Sequence, residues 1–121
     1  MLKTAGIRLN DLTKILMEKK NISFSDAFTI VQNENSELAE VYSWELQHLG
    51  NFNEKNAHDW QIYYSMVAEK LHVLAKKKES EGCLNFSEAL CRINKENPEL
   101  SSLHSDIIRF WTASNYKNKP N

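Results

Sequence analysis

A repeat at an offset of 62 residues limits the fold of this chain more than any other feature of its sequence. Segment 22–28 (ISFSDAF) aligns with segment 84–90 (LNFSEAL), and segment 34–38 (ENSEL) aligns with segment 96–100 (ENPEL). Seven of the 21 positions from 22 to 42 are identical to their counterparts from 84 to 104. Such a chain folds from two copies of one supersecondary unit.

Each copy begins with a pattern that is typical of a helix start. Ser23 and Asn85 are favourable N-cap residues, and Asp26 and Glu88 follow three positions later. A carboxylate at that position can reach back to the amide of the cap, and it also lies at the positive end of the helix dipole. The spacing therefore predicts a capping box at the start of a helix in each copy.

A second helix start follows in each copy. Asn35 and Asn97 are expected to be its N-caps, and Pro98 falls at the first helical position, where its fixed φ favours the helix. Each unit, about 22–50 and about 84–112, is therefore predicted as a short helix, a tight turn and a longer helix.

Apolar residues at three- and four-residue spacing predict which sides of these helices are buried. We expect Phe24 and Phe86 to occupy equivalent core positions. The predicted core face of the longer helix is formed in the first copy by Leu38, Val41, Tyr42, Leu46 and Leu49, and in the second copy by Leu100, Leu103, His104, Ile107, Ile108 and Trp111.

Two further helices are predicted. One lies somewhere between 4 and 20 with Leu9, Leu12, Ile15 and Leu16 inward, and the other runs from 57 to about 78 behind the cap Asn56. The second has a main apolar stripe of Trp60, Tyr63, Tyr64, Val67, Leu71 and Leu74, and nearly opposite a minor stripe of Ile62, Met66 and Val73.

A helix that is apolar on two sides needs a cover on both. Either it runs through the middle of the domain, or its minor stripe binds a partner or a second copy of the chain. We predict a single all-α domain over 1–121, a bundle of about six helices in which the repeats surround this central helix. A flexible tail is expected from about 114 to 121.

Composition excludes several classes of protein. The chain has 121 residues, 26% of them charged, a formal net charge of −1 and a pI near 6.4, which give no electrostatic footprint for nucleic acid. No run approaches the roughly 20 apolar residues of a membrane helix. We therefore expect a cytoplasmic protein without membrane contact, with Cys83 and Cys91 as free thiols.

The sequence offers little chemistry. Four histidines lie on separate predicted elements without a spacing that zinc favours, and three glycines cannot build a phosphate-binding loop. We therefore expect a protein that is not an enzyme and has neither cofactor nor metal.

A partner surface is predicted on the longer helix of the first copy. Trp44 falls about 130° from the predicted core face, beside Glu37, Glu40 and His48. Its counterpart in the second copy is Asp106, so the shared fold does not require an aromatic residue there. These four residues, with Ile62 and Met66 as the next candidates, form the predicted partner-binding site.

A basic edge is the alternative site. Lys70, Lys76, Lys77 and Lys78 form the one basic cluster of the sequence, although a solvated helix end also explains them. The longer helices begin with acidic residues, which argues against a recognition helix, so nucleic acid is an unlikely partner.

The repeated pattern F-S-[DE]-A…E-N-[SP]-E-L resembles a short helical module of tailed-phage and prophage proteins. Ser36 departs from its usual proline in the first copy. The resemblance implies a phage or mobile-element origin. We expect a small protein that binds another protein, as a phage accessory factor or an inhibitor of a host system; the alternatives are a DNA-associated regulator and an oligomerising phage structural or scaffold component.

Overall fold

The structure, a computed structural model, describes residues 2–82 and 84–117, and the side chains as far as Ala113. Within that part the chain is all-α, as predicted, without a strand. Six α-helices and a short 3-10 helix at Leu49–Asn51 follow one another: α1 (Ala5–Lys20), α2 (Phe24–Glu34), α3 (Ser36–His48), α4 (Ala57–Glu81), α5 (Phe86–Glu96) and α6 (Pro98–Lys117). Helix α6 includes 114–117, where a tail was expected; residues 118–121 of that tail and Cys83 lie outside the described residues.

The helices form two compact units, Lys3–Gly50 and the chain from Asn51 onward. In the first unit α1 packs on α2 and α3, and α2 packs on α3. In the second unit α4 packs on α5 and α6, and α5 packs on α6. Each unit therefore includes the helix before its hairpin, whereas α4 was predicted to lie outside both repeats, as a central helix with the repeats around it.

The buried residues of the two units correspond position by position. The same offset of 62 that relates the hairpins also relates the core face of α1 to that of α4, so the duplicated element is a three-helix unit. The corresponding buried pairs are Ala5 and Val67, Leu9 and Leu71, Thr13 and Ala75, Ala27 and Ala89, Val31 and Ile93, Leu38 and Leu100, and Val41 and Leu103.

The units differ at one end. Helix α1 begins at Ala5, which corresponds to Val67, whereas α4 begins ten residues before Val67, at Ala57. Helix α3 ends at His48, which corresponds to Phe110, whereas α6 continues to Lys117. The second unit is therefore longer at the end where the first helix starts and the third helix finishes.

A buried glutamate closes this end of the first unit. The Glu45 side chain is 4% exposed, and its two carboxylate oxygens accept hydrogen bonds from the backbone amides of Ala5 (2.8 Å) and Gly6 (3.0 Å). These amides at the start of α1 have no partner within the helix, and the helix dipole there favours negative charge. The counterpart of Glu45 in the second unit is the buried Ile107. No free helix start lies next to Ile107, because α4 begins ten residues before Val67, the counterpart of Ala5.

The caps of the first helix in each hairpin are confirmed. The Ser23 hydroxyl accepts from the amide of Asp26 (3.1 Å), and the Asn85 side chain accepts from the amide of Glu88 (2.9 Å). The Asn56 side chain also caps α4, accepting from the amide of His58 (2.8 Å).

Asn35 and Asn97 lie directly before α3 and α6, as predicted, but the Asn35 side chain makes no capping hydrogen bond to α3. Each side-chain amide instead donates backwards, Asn35 to the carbonyl of Val31 (2.9 Å) and Asn97 to the carbonyl of Ile93 (3.0 Å). They close the end of the preceding helix, where the last carbonyls lack partners within the helix. Both copies share this arrangement.

The predicted core face of α3 is also partly wrong. Leu46, placed in the core by the sequence pattern, is 69% exposed. The buried residues of α3 are Leu38, Val41 and Glu45, so the true core face lies about 45° around the helix from the predicted one. The pattern failed because it assigned Glu45 to the polar side.

Three further apolar residues predicted to be inward are exposed, and the one on α6 is Ile108, which is 41% exposed. Ile15 is 53% exposed, because α1 packs through the face that holds Leu9 and Thr13, whose hydroxyl donates to the carbonyl of Leu9 (2.7 Å). Phe24 is 44% exposed at the first position of α2, whereas its counterpart Phe86 is half-buried, so the two do not share an equivalent core site.

Replacing Glu45 with Ala should lower the free energy of unfolding by about 1–3 kcal/mol, since two buried amides lose their acceptor. Gln47→Ala, at an exposed position of the same helix, serves as the control and should change it by less than about 0.5 kcal/mol. Urea denaturation followed by circular dichroism measures both. Equal midpoints for Glu45→Ala and the wild type would contradict the role of this carboxylate.

Replacing Ser23 or Asn85 with Ala should each lower the free energy of unfolding by about 1 kcal/mol, because an amide in the first turn loses its cap. Ser25→Ala, two positions beyond the first cap, is the matched control. Thermal denaturation provides the comparison, and the prediction fails if the control and the cap variants melt at the same temperature.

Candidate functional site

The predicted partner site on α3 lies along one side of that helix. Glu37, Glu40, Trp44 and His48 follow at spacings of three and four, and the last two form an aromatic pair. The ring centroids of Trp44 and His48 are 4.7 Å apart with planes inclined by 14°, and Nδ1 of His48 lies 2.9 Å from the carbonyl oxygen of Trp44. The site thus combines acidic residues at the start of the helix with a stacked aromatic pair at its end.

Trp44 is half-buried, although the sequence analysis placed it far from the core. Because the core face of α3 is rotated towards it, Trp44 lies about 90° from the centre of that face, at the edge of the packed region. His48 and Glu40 are exposed. The counterpart of Trp44, Asp106, forms an ion pair with Arg109, so the second unit uses this position differently.

The minor stripe of α4 lies on the side opposite its buried face. Ile62 is 40% exposed, Val73 is 56% exposed, and Met66 between them is half-buried. Ile62 and Met66 belong to the second unit and the α3 residues to the first, so the predicted site residues fall in two different units. Val73 completes the stripe, although it was not among the predicted site residues.

The four lysines of the alternative site do not form one surface. Lys76 lies over the Phe86 ring (5.1 Å from Nζ to the centroid), and Lys78 forms an ion pair with Glu96 (2.8 Å). Lys77 is exposed and Lys70 half-buried. Since consecutive residues turn by about 100° around a helix, 76, 77 and 78 point in three directions, so no continuous basic face results.

A groove in the second unit was missed by the sequence analysis. It has a volume of about 240 Å³ and lies between α4, α5 and α6. Its walls combine aromatic, aliphatic and polar side chains, namely Tyr64, Ala68, Leu71, His72, Phe86, Leu90, Asn94 and His104. The sequence signal that could have indicated it is the replacement of Phe28 and Tyr42 of the first copy by the smaller Leu90 and His104 of the second.

Ring contacts shape this groove. His104 and Tyr64 have centroids 4.8 Å apart, and His72 and Phe86 have centroids 5.1 Å apart. Burial lowers the pKa of His104 below its ordinary 6.5, because a desolvated imidazole is less readily charged. Beyond Tyr64, the buried indole Nε1 of Trp111 has no hydrogen-bond partner among the described residues.

The described residues contain no group of three or more His, Cys, Asp or Glu side chains that could hold a metal ion. None of the helices in the described part is long and apolar enough to cross a membrane. Cys91 is an exposed free thiol.

The fold defines an all-α protein of two duplicated three-helix units. In comparisons with protein families, curated proteins and solved structures, no match to the chain was found.

The lowered pKa of His104 predicts a pH dependence of stability. The folded state binds this proton less readily than the unfolded state, so the stabilising contribution is complete above pH 6.5 and is lost as the pH falls through the folded pKa. We expect the free energy of unfolding to decrease less steeply below pH 6.5 in His104→Gln than in the wild type. Urea denaturation across this range tests it, and an NMR titration of the His104 ring with a midpoint at or above 6.5 would contradict it.

Proposed function

We propose that the protein acts by binding another protein and that it does not catalyse a reaction. The observation that carries this proposal is the second apolar stripe of α4, formed by Ile62, Met66 and Val73, which we call the α4 outer stripe. Helix α4 already buries a full apolar face against its own unit. The stripe is therefore not needed to hold that unit together, and its exposure to water costs free energy that a partner would recover.

The dimensions of the α4 outer stripe suit a helix of a partner protein. Its first and last members are eleven residues apart, about 17 Å along the helix, or three turns. Glu69 takes the intermediate turn and is exposed, so the stripe has a charged side chain within it. A contact of this kind, with few apolar residues and an ionic group, is typical of interfaces between proteins that also exist apart.

The face with Trp44 is a second candidate contact. Tryptophan is enriched among the residues that dominate binding energies, and here it lies at the edge of the packed region with an exposed, stacked His48 beside it. Glu37 and Glu40 on the same side of α3 would favour a basic partner surface. As the biological setting we propose a phage or mobile-element protein that binds a component of its host, which would make inhibition the effect of binding.

The double variant Ile62→Glu/Val73→Glu should abolish binding through the α4 outer stripe and leave the melting temperature nearly unchanged, because neither side chain belongs to the core. Gln61→Glu, an exposed neighbour about 100° around the helix from Ile62, is the matched charge control. Affinity capture from the native host, with quantitative mass spectrometry, should show a protein retained by the wild type and the control and lost at least tenfold by the double variant.

Sedimentation velocity of the same three proteins identifies the case in which the partner is a second copy. A dimer in the wild type and the control, and a monomer in the double variant, would assign the stripe to self-association. If the double variant and the control capture the same proteins and have the same oligomeric state, the proposal for this stripe is wrong. Trp44→Ala in the same capture tests the α3 face separately.

A further inference from the structure

We infer that the groove between α4, α5 and α6 of the second unit binds an aromatic side chain of the protein partner. The inference relies on the proposed function for the source of the ring, but the groove itself is argued from the structure of the two units. The first unit shows what fills the same place when the chain supplies it.

In the first unit this place is filled by aromatic side chains of the chain itself. Phe24 and Phe28 stack with centroids 5.7 Å apart, and the Phe28 ring meets the Tyr42 ring edge-on at 6.4 Å. Tyr42 lies directly against Gly6, since a Cβ at that glycine would be 2.7 Å from Cε1 of the tyrosine ring. Gly6 therefore makes room for the Tyr42 ring beside α1.

The second unit has smaller residues at the filling positions. Leu90 stands in the place of Phe28, and His104 in the place of Tyr42, at the offset of 62. Ala68 stands in the place of Gly6, where its methyl group would obstruct a ring that lay as Tyr42 does. Two large rings are thus replaced by smaller side chains, the Ala68 methyl group excludes a ring from the position that Tyr42 takes, and a groove of about 240 Å³ lies among these residues.

The size of the groove fits a single ring. An apolar cavity of about 150 Å³ in a protein interior is large enough to take benzene, so a six-membered side chain with room for its attachment can enter here. Because the groove is open to solvent, an aromatic side chain of another protein can enter it. An enclosed cavity would exclude such a side chain.

The lining also favours a ring over an aliphatic side chain. Tyr64, Phe86 and His104 present aromatic surfaces against which a ring can lie offset or edge-on, and such pairs are more favourable than burial alone. The side-chain amide of Asn94 supplies a polar group at the groove wall. A phenol has both the ring and the hydroxyl that this combination accommodates.

The test uses 4-methylphenol, the side chain of tyrosine, as a probe of the full-length protein in NMR titrations. We expect saturable shifts of the Ala68 and Leu90 methyl signals and of the His104 ring, with a dissociation constant in the millimolar range. The branched alcohol 3-methyl-1-butanol, of similar size without a ring, should bind at least fivefold more weakly. Absence of saturable shifts at these residues, or equal affinity for the alcohol, would overturn the inference.

Two variants copy the first unit into the second. Leu90→Phe introduces the residue type found at Phe28, and the double variant Ala68→Gly/His104→Tyr introduces the pair found at Gly6 and Tyr42. Each should weaken the probe at least tenfold. Because the two act from different helices, one can replace the other if it fails to fold, as judged by thermal melting. Retained binding in a folded variant that carries either change would overturn the assignment.

The matched control is Phe28→Leu, which makes the reciprocal change in the first unit and leaves the groove residues intact. Its affinity for the probe at the second unit should equal that of the wild type. In the host capture experiment, Leu90→Phe should reduce the partner at least tenfold and Phe28→Leu should not. If 4-methylphenol binds the groove but Leu90→Phe does not reduce the captured partner, the ligand of the groove is not a side chain of that partner, and the inference is overturned. The capture result for Ile62→Glu/Val73→Glu decides the proposed function separately.

Discussion

The structure depends on the need of each helical hairpin for a third helix. A pair of antiparallel helices with one apolar face each leaves part of that apolar surface in water, and a third helix covers it. Helix α1 supplies this cover for α2 and α3, and α4 supplies it for α5 and α6. The correspondence of Ala5, Leu9 and Thr13 with Val67, Leu71 and Ala75 follows, since both third helices fit the same repeated hairpin.

The length of the third helix determines how each unit ends. Where α1 starts, free backbone amides require an acceptor inside the packed region, and Glu45 provides it with both carboxylate oxygens. Where α4 continues, the same position carries Ile107, and an additional turn brings Tyr64 against His104 and Trp111. Glu45 therefore stands where a helix begins beside it, and Ile107 stands where the corresponding helix continues.

Duplication also gives the two units different surfaces. Aromatic residues fill the first unit around Tyr42 and Gly6, while smaller residues leave a groove in the second. The α4 outer stripe has no equivalent of the same character in the first unit, where Asp11 of α1 corresponds to Val73 and Thr4, the N-cap of α1, corresponds to Met66. The shared core preserves the fold, while the positions outside it differ between the two units.

The sequence by itself determined the all-α class, the repeat, the starts of α2 to α6 and the main buried stripe of α4, because capping and helical periodicity are local properties. It could not place Glu45 in the core, since the amides that hold it are about 40 residues away in the chain. For the same reason the rotation of α3 and the exposure of Leu46 were missed. For the candidate site, local spacing singled out Trp44, His48, Ile62 and Met66, but only packing of three helices against one another created the groove and decided which side chains line it.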